Sequence, residues 1–476
     1  MTETAKKKRG MPSSFTILLA LLAIVAVITV IVSGTSGGAV TAARLSDFCT
    51  APIKGFADAL PVCLFVMILG GFLGMMTETG ALDNGIAVLV QKLKGNEIML
   101  IPVLMLIFSL GGTTYGMCEE TVPFYALLAA TMMAAGFDPM VGAATVLLGA
   151  AVDALTGVDI AVNQSIIIGL GAVLWIVTTA MSIVFVMNYA KKVKADKGST
   201  ILSMQELKAA EEAHGKAASE VHKEVKLTGR QKGVLIAFAF TFVVMIVGFI
   251  PLADLNEGVA NFFDAGAVYD ADGNAVVQGW SALITGLPIG QWYFDEASTW
   301  FFLMAILIGI IGGLSEKQIV NTFITGAADM MSVVLVIALA RGISVLMANT
   351  GLDVYVLDAA ANALAGLSGV IFAPMSFLVY FGLSFLIPST SGMATVSMPI
   401  MGPLAVKLGF SPEVMVMIFS AAIGVVNLFT PTSGAIMGGL ALAKIEWTTW
   451  LKFALKLIVA LSVVCAIILT VACVLL

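Results

Sequence analysis

The sequence predicts an all-α polytopic membrane protein made of two inverted-topology repeats, each with a re-entrant helical hairpin and an interrupted transmembrane helix. Three observations predict it. Of the 476 residues, 59% are hydrophobic and 11% charged, against about 25% charged in an average soluble chain, and the apolar residues gather in runs near the ~20 that cross a bilayer. Motifs of the first half return in order in the second. The bases that mark cytoplasmic loops fall differently around the matching segments.

The same composition excludes several functions. The net charge of -6 resides in loops, and nothing supports nucleic-acid binding. The five cysteines form no CxxC pair and imply no disulfide framework. His214 and His222 lie in a charged loop and are expected to be exposed rather than metal-bound. There is no HExxH, no nucleophile with a neighbouring histidine and no nucleotide loop, so no enzyme, metal or cofactor is expected. The partners implied are membrane lipid and a small-molecule substrate, and a homodimer is compatible with the sequence.

In chain order, Lys6, Lys7, Lys8 and Arg9 precede the apolar run 15–32, which outlasts the apolar region of a signal peptide, about 7 to 15 residues. Residues 1–58 therefore read as a cytoplasmic basic tail, a first span and an external connection. A first transport repeat occupies 59–190. It opens with a span over 59–79 leading to Lys92 and Lys94, followed by two apolar arms, 98–110 and 116–135. The first arm reaches about 20 Å at 1.5 Å per residue, short of a ~30 Å hydrocarbon core, which predicts a re-entrant hairpin. GFDP at 136–139 closes it, VDALTGVD at 152–159 interrupts the next helix, and a last span ends at Tyr189. Residues 191–231 are basic and polar and read as a solvated cytoplasmic loop, with an exposed amphipathic helix over 204–225. Residues 232–328 carry connecting spans around an acidic external loop, 251–297, in which AVYDADGNAVV predicts a small hairpin. The second repeat fills 329–476 and places the C-terminus outside.

The stretch GGTTYGMCEETVP, 111–123, sets Glu119 and Glu120 between apolar arms. Carboxylates at bilayer depth are costly and are retained at functional sites. This tip parallels STSGMATVSMP, 389–399, at a constant shift of 276; GFDP returns as GFSP at 409, VDALT as VNLFT at 426, and MMTETGALD at 75 as LMANTGLD at 346. Lys92 and Lys94 follow the first opening span, whereas Asp353 and Asp358 follow its counterpart, so the repeats read as inverted. Inverted repeats with broken helices are the architecture of secondary transporters, with the site near the midplane. A passive channel would also use polar tips, but it does not require two interrupted repeats.

The candidate substrate-binding residues are Thr113, Thr114, Glu119, Glu120, Asp153, Ser389, Thr390, Ser391, Asn427 and Thr432, and the candidate ion-binding residues are Gly112, Asp153, Thr156, Asn427, Thr430 and Ser433. Hydroxyls, an amide oxygen and carbonyls freed by unwinding suit a hard cation such as Na+, helix N-termini suit a carboxylate, and a carboxylate can carry H+ instead. Pro431 helps keep the second segment unwound. Arg341 is the single clear intramembrane base, with Asp329 three turns before it on the same expected helix. The acids favour a cationic or zwitterionic amino acid over a dicarboxylate.

MPSSFTILLALLAIVAV near the start, the GMxEET tip, ARGIS at 340–344 and the PSTSGMA tip resemble the YfcC-like carriers of the DcuC group, within the ion transporter superfamily. The resemblance covers nearly the whole chain. It implies a bacterial inner-membrane secondary carrier for amino acids, especially basic ones, or for small carboxylates. The chain departs from many relatives at IVSGTSGG after the first span, a peripheral position.

Overall fold

The computed structural model describes residues 14–93, 95–115, 121–150, 163–220, 226–250, 252–270, 275–387 and 390–476. The first half contains α1 Ser14–Ser33, α2 Leu45–Asp58, α3 Leu60–Glu78, α4 Ala81–Lys92, α5 Leu100–Tyr115, α6 Val122–Ala134, α7 Pro139–Ala150 and α8 Gln164–Ala195. The connecting part holds α9 Met204–Glu220, α10 Gly229–Phe249, α11 Leu252–Leu255 and α12 Glu257–Phe263. The antiparallel pair β1 Val268–Tyr269 and β2 Ala275–Val277 follows, then α13 Phe294–Gly312 and α14 Glu316–Asp329. The second half contains α15 Met331–Thr350, α16 Leu352–Leu364, α17 Gly369–Leu386, α18 Thr390–Lys407, α19 Pro412–Val426, α20 Gly434–Leu442 and α21 Trp447–Leu475. Seven of the described helices, α1, α3, α8, α10, α13, α15 and α21, are long and apolar enough to cross a membrane. The protein is a helical polytopic membrane protein.

The helix order from α3 to α7 recurs from α15 to α19. In each half the two hairpin arms pack against the helix that follows them: α5 and α6 on α7, α17 and α18 on α19. The turns match in detail. Gly80 and Gly351 both adopt left-handed backbone, φ 63° and 72°, to join the opening helix to the next one. At the second corner, Gly136 (φ 85°) and Gly409 (φ 81°) end the hairpin arm with the same bond pattern. Phe137 N–H donates to the Met132 carbonyl at 2.8 Å, and Phe410 N–H to that of Ala405 at 2.9 Å. This is the Schellman closure that a glycine permits.

The two corners attach to opposite ends of α8. Asp138 accepts a 2.6 Å hydrogen bond from the Tyr189 hydroxyl, near the C-terminal end of α8. Glu413, just past the other corner, accepts the N–H of Asn163, the N-cap of α8, at 2.7 Å. At 1.5 Å per residue, Asn163 and Tyr189 are about 39 Å apart along the axis.

Three expectations are corrected. The segment 191–231 is not simply a solvated loop: α9 packs against α4 and α6, with Ala210 fully buried and Glu206 5% exposed. An amphipathic helix with an apolar stripe next to an uncovered apolar surface buries that stripe. His214 is consequently partly buried rather than exposed, while His222 lies outside the described residues. Asp329 and Arg341 do not share a helix: α14 ends at Asp329, and the chain turns at Met330 because α14 follows α3 whereas α15 follows α1 and α2.

Candidate functional site

The second interruption is where expected. After Val426 the helix gives way over 427–433 and resumes at Gly434. Thr430 N–H still reaches the Val426 carbonyl at 2.9 Å, but Pro431 has no N–H to continue the ladder. The hydroxyls turn inward: Thr430 is 0% and Thr432 1% exposed, and their Oγ1 atoms lie 2.6 Å apart. Thr432 N–H also donates to Thr430 Oγ1, at 3.3 Å. Ser433 is buried beside them, and Asn427, still bonded to the Ile423 carbonyl at 2.8 Å, is partly buried.

Not all the carbonyls freed by unwinding are free. The indole N–H of Trp450 donates to the Leu428 carbonyl at 2.8 Å, and that of Trp447 to the Phe429 carbonyl at 2.7 Å. A buried carbonyl left without a partner costs about 1–3 kcal/mol. The two tryptophans thus make the break tolerable and pin it to α21. Sequence reasoning missed them, although their spacing of three at the start of an apolar helix puts both on one face.

A described residue before the second tip meets the interruption, and one before the first tip meets the end of α7. In the first repeat, Gly112, in the last turn of α5, packs so closely on the Ala150 carbonyl that a Cβ there would strike it. In the second, Phe385 at the end of α17 packs on Phe429, ring centroids 5.2 Å apart. A cross-repeat contact joins them: Val122, leaving the first tip, shares a buried cluster with Cys63, Val334, Ile337 and Ala435, and the Tyr125 ring lies on Gly439. α6, which follows the first tip, therefore packs on α20, the part of the broken helix that resumes after 427–433.

Of the remaining predicted residues, Thr113 donates its hydroxyl to the Ser109 carbonyl of its own helix at 2.7 Å. Thr114 lies in the last turn of α5, and Thr390 and Ser391 open α18. Glu119, Glu120, Asp153, Thr156 and Ser389 lie outside the described residues. Arg341 has a partner that the sequence did not suggest: its Nε lies 3.2 Å from Asp58 Oδ2, at the end of α2. Near-neighbour spacing carries no signal for a pair so distant in sequence.

The end of the molecule carrying the basic connecting segment has a second polar network. The Asp138 carboxylate accepts from Tyr189, from the Thr200 hydroxyl at 2.7 Å and from Val141 N–H at 3.1 Å. Burial pushes its carboxyl above the usual range, and these hydrogen bonds offset only part of that shift. On α9, Glu206 accepts the N–H of Glu446 at 2.9 Å, and His214 Nε2 contacts the Leu442 carbonyl at 2.9 Å. They grip both sides of Lys444, a left-handed residue at φ 61°. Burial holds the His214 imidazole below its ordinary pKa, and the Lys444 charge adds to this against the opposing pull of the Leu442 bond.

The model of the DcuC family, described as C4-dicarboxylate anaerobic carrier, matches residues 40–474. The chain belongs to this family. This DcuC-family carrier is 28% identical over 438 residues to an uncharacterised protein of Haemophilus influenzae, covering 90% of this chain and 78% of that one. It is 27% identical over 438 residues to Escherichia coli YfcC, named as a proposed basic amino acid antiporter, covering 87% and 77%. Among solved structures, MtrF of Neisseria gonorrhoeae, described with a class of antimetabolite efflux pumps, aligns at 16% identity and TM-score 0.43, covering 98% and 96%. The YdaH transporter of Alcanivorax borkumensis aligns at 13% and 0.46, covering 97% and 98%. The chain is a multi-pass membrane transporter of the DcuC and YfcC type.

Proposed function

We propose that this carrier is a secondary active transporter of the bacterial inner membrane for small amino acids, foremost basic ones of the arginine or ornithine type. It works by alternating access coupled to an ion or a counter-substrate. The observation that carries the substrate reading is the pairing of Arg341 with Asp58. The one clear intramembrane base is already matched by an acid, while the apolar stretches of the sequence hold three further acids, Glu119, Glu120 and Asp153. A cationic substrate meets them, and a dicarboxylate does not. The name of the Escherichia coli relative agrees with this reading. The second reading, a carrier of C4-dicarboxylates or other small carboxylates, is favoured by the description of the family model.

The alternating-access reading treats 59–190 and 329–476 as inverted repeats, and the attachment of equivalent corners to opposite ends of α8 supports it. The two tips and two interruptions then approach the midplane from opposite sides, and the buried Thr430, Thr432 and Ser433 cluster is one side of an ion site.

Counterflow in proteoliposomes tests this. Loaded with L-arginine, they are expected to accumulate labelled arginine or ornithine, and Asn427→Ala or Thr430→Ala is expected to impair uptake in protein that remains folded. At least one of Glu119→Gln and Glu120→Gln is expected to weaken apparent affinity, by about 1.5–3 kcal/mol if the carboxylate contacts the substrate. If it carries the coupling proton instead, counterflow survives and pH-driven accumulation disappears. Counterflow of succinate with none of arginine would replace this reading with the second one.

A further inference from the structure

The ARGIS run at 340–344 lies outside the tips and the unwound segment, yet helix packing brings it beside them. α20 crosses α15 antiparallel and in register: a Cβ on Gly438 would strike Val333, and one on Gly434 would strike Ile337. One more turn along α15 leads to Arg341 and a second to Ser344, and one more turn back along α20 leads into the unwound 427–433 segment. On the other flank, Gly55 of α2 sits against Ala338 and Gly342. At 100° per residue, Arg341 lies between the stripe that meets α20 and the stripe that meets α2, and Ser344 lies on the α20 stripe. The seam between α2, α15 and the broken helix therefore holds a guanidinium, a hydroxyl and the Asp58 carboxylate.

Two observations mark this seam as a receptor rather than a tie. The Ser344 Oγ is buried and has no hydrogen-bond partner among the described residues, which is uncommon for a buried hydroxyl. The ion pair is also open on one side: the Arg341 and Asp58 side chains are 29% and 52% exposed, although Arg341 lies halfway along a candidate span. Charges at that depth are stable where they face a water-filled cavity.

We infer that Arg341, Asp58 and Ser344 form the receptor for the zwitterionic head of the substrate. The carboxylate docks on the Arg341 guanidinium, the ammonium on Asp58, and the Ser344 hydroxyl donates to the bound carboxylate. The charge balance selects the class. A simple carboxylate that displaced Asp58 would leave that acid unpaired, and a simple amine would leave Arg341 unpaired. The cost falls mainly on Arg341, which is the more enclosed of the two at 29% exposed, against 52% for Asp58, since a charge is more costly to leave unpaired the less water reaches it. An α-amino acid satisfies both, so the pair opens without leaving an orphan. This rests on the amino-acid reading above and adds which groups hold the head, while the side chain is left to other residues.

The test is a ligand-induced thermal shift on the purified full-length protein. The ligands are L-arginine, L-alanine, agmatine, which lacks the carboxylate, and succinate, which lacks the ammonium. Stabilisation of the wild type by arginine, with none by agmatine or succinate, is the expected pattern. Arg341→Gln and Asp58→Asn should each weaken arginine binding by about 10- to 100-fold, and Ser344→Ala by about 3- to 10-fold. Because the single charge variants can lower stability, the exchanged variant D58R/R341D keeps the pair and reports on binding in folded protein. It should retain its unliganded melting temperature and lose arginine affinity. Unaltered arginine affinity in the folded variants overturns the receptor and leaves the substrate reading standing. Equal stabilisation by alanine, dependent on the pair, keeps the receptor and removes the preference for basic side chains. Stabilisation by succinate but not by arginine overturns both, as does a wild type that no ligand of this set stabilises.

Discussion

The corners at 136–139 and 409–412 share one local code and have two different tethers. Gly-Phe-x-Pro builds the same turn at each: a left-handed glycine, a phenylalanine N–H reaching back five residues, and a proline opening the next helix. The third residue differs. Asp138 has a carboxylate long enough to take three donors, and through Thr200 it ties the first corner to the connecting segment. Ser411 reaches no farther than Glu413 Oε2, at 2.5 Å, and Glu413 in turn holds the N-cap of α8. Local sequence sets the shape of a turn, whereas one side chain decides what that turn is fastened to.

The largest expected effect tests whether the corners face opposite sides. Single cysteines at 92 and 361, equivalent points two helices before each corner, are expected to react with an impermeant maleimide from opposite sides of the membrane in a cysteine-free background. Labelling from one side would break the inverted pairing outright.

Next come the tethers. Asp138→Ala strands two hydroxyls and an amide and is expected to cost about 3 kcal/mol or more, at about 1–3 kcal/mol per unsatisfied buried group. Ser411→Ala removes one donor from a carboxylate that keeps the Asn163 amide and should cost about 1 kcal/mol. Thermal unfolding in detergent ranks the two, and equal losses would mean that the corners are fastened alike.

Smaller still is the pH response of α9, which packs on α4 and α6 beside the first corner. His214 has a folded pKa below its unfolded value, so the unfolded helix binds the proton more readily. Its contribution is complete above the unfolded value, near ~6.5, and is lost as pH falls through the lower folded value. Amide exchange over 204–220, corrected for intrinsic rates, is therefore expected to speed up between pH 7.5 and 5.5, and His214→Gln should flatten that dependence. The smallest effect belongs to the Lys194–Glu97 pair, 2.7 Å apart with Lys194 39% exposed. Lys194→Met is expected to change stability by less than about 1 kcal/mol, as surface ion pairs do, and 0.5 M salt should shift the wild type and the variant toward each other.

Much of this molecule is legible in order along the chain. Apolar run lengths mark the spans, the Gly80 and Gly351 turns and the two Gly-Phe-x-Pro corners are written in a few adjacent residues, and Pro431 with its threonines announces the unwound segment. Periodicity and backbone chemistry act over a turn or two, so near neighbours suffice to read them. The pairing of Asp58 with Arg341, the capture of the Leu428 and Phe429 carbonyls by Trp450 and Trp447, and the folding of α9 onto α4 and α6 belong to tertiary structure alone. Each depends on which helix lies beside which and in what register, and the register is set where a missing Cβ lets two backbones touch, as at Gly55, or lets a side chain seat on the backbone, as Ile337 does at Gly434 and Val333 at Gly438.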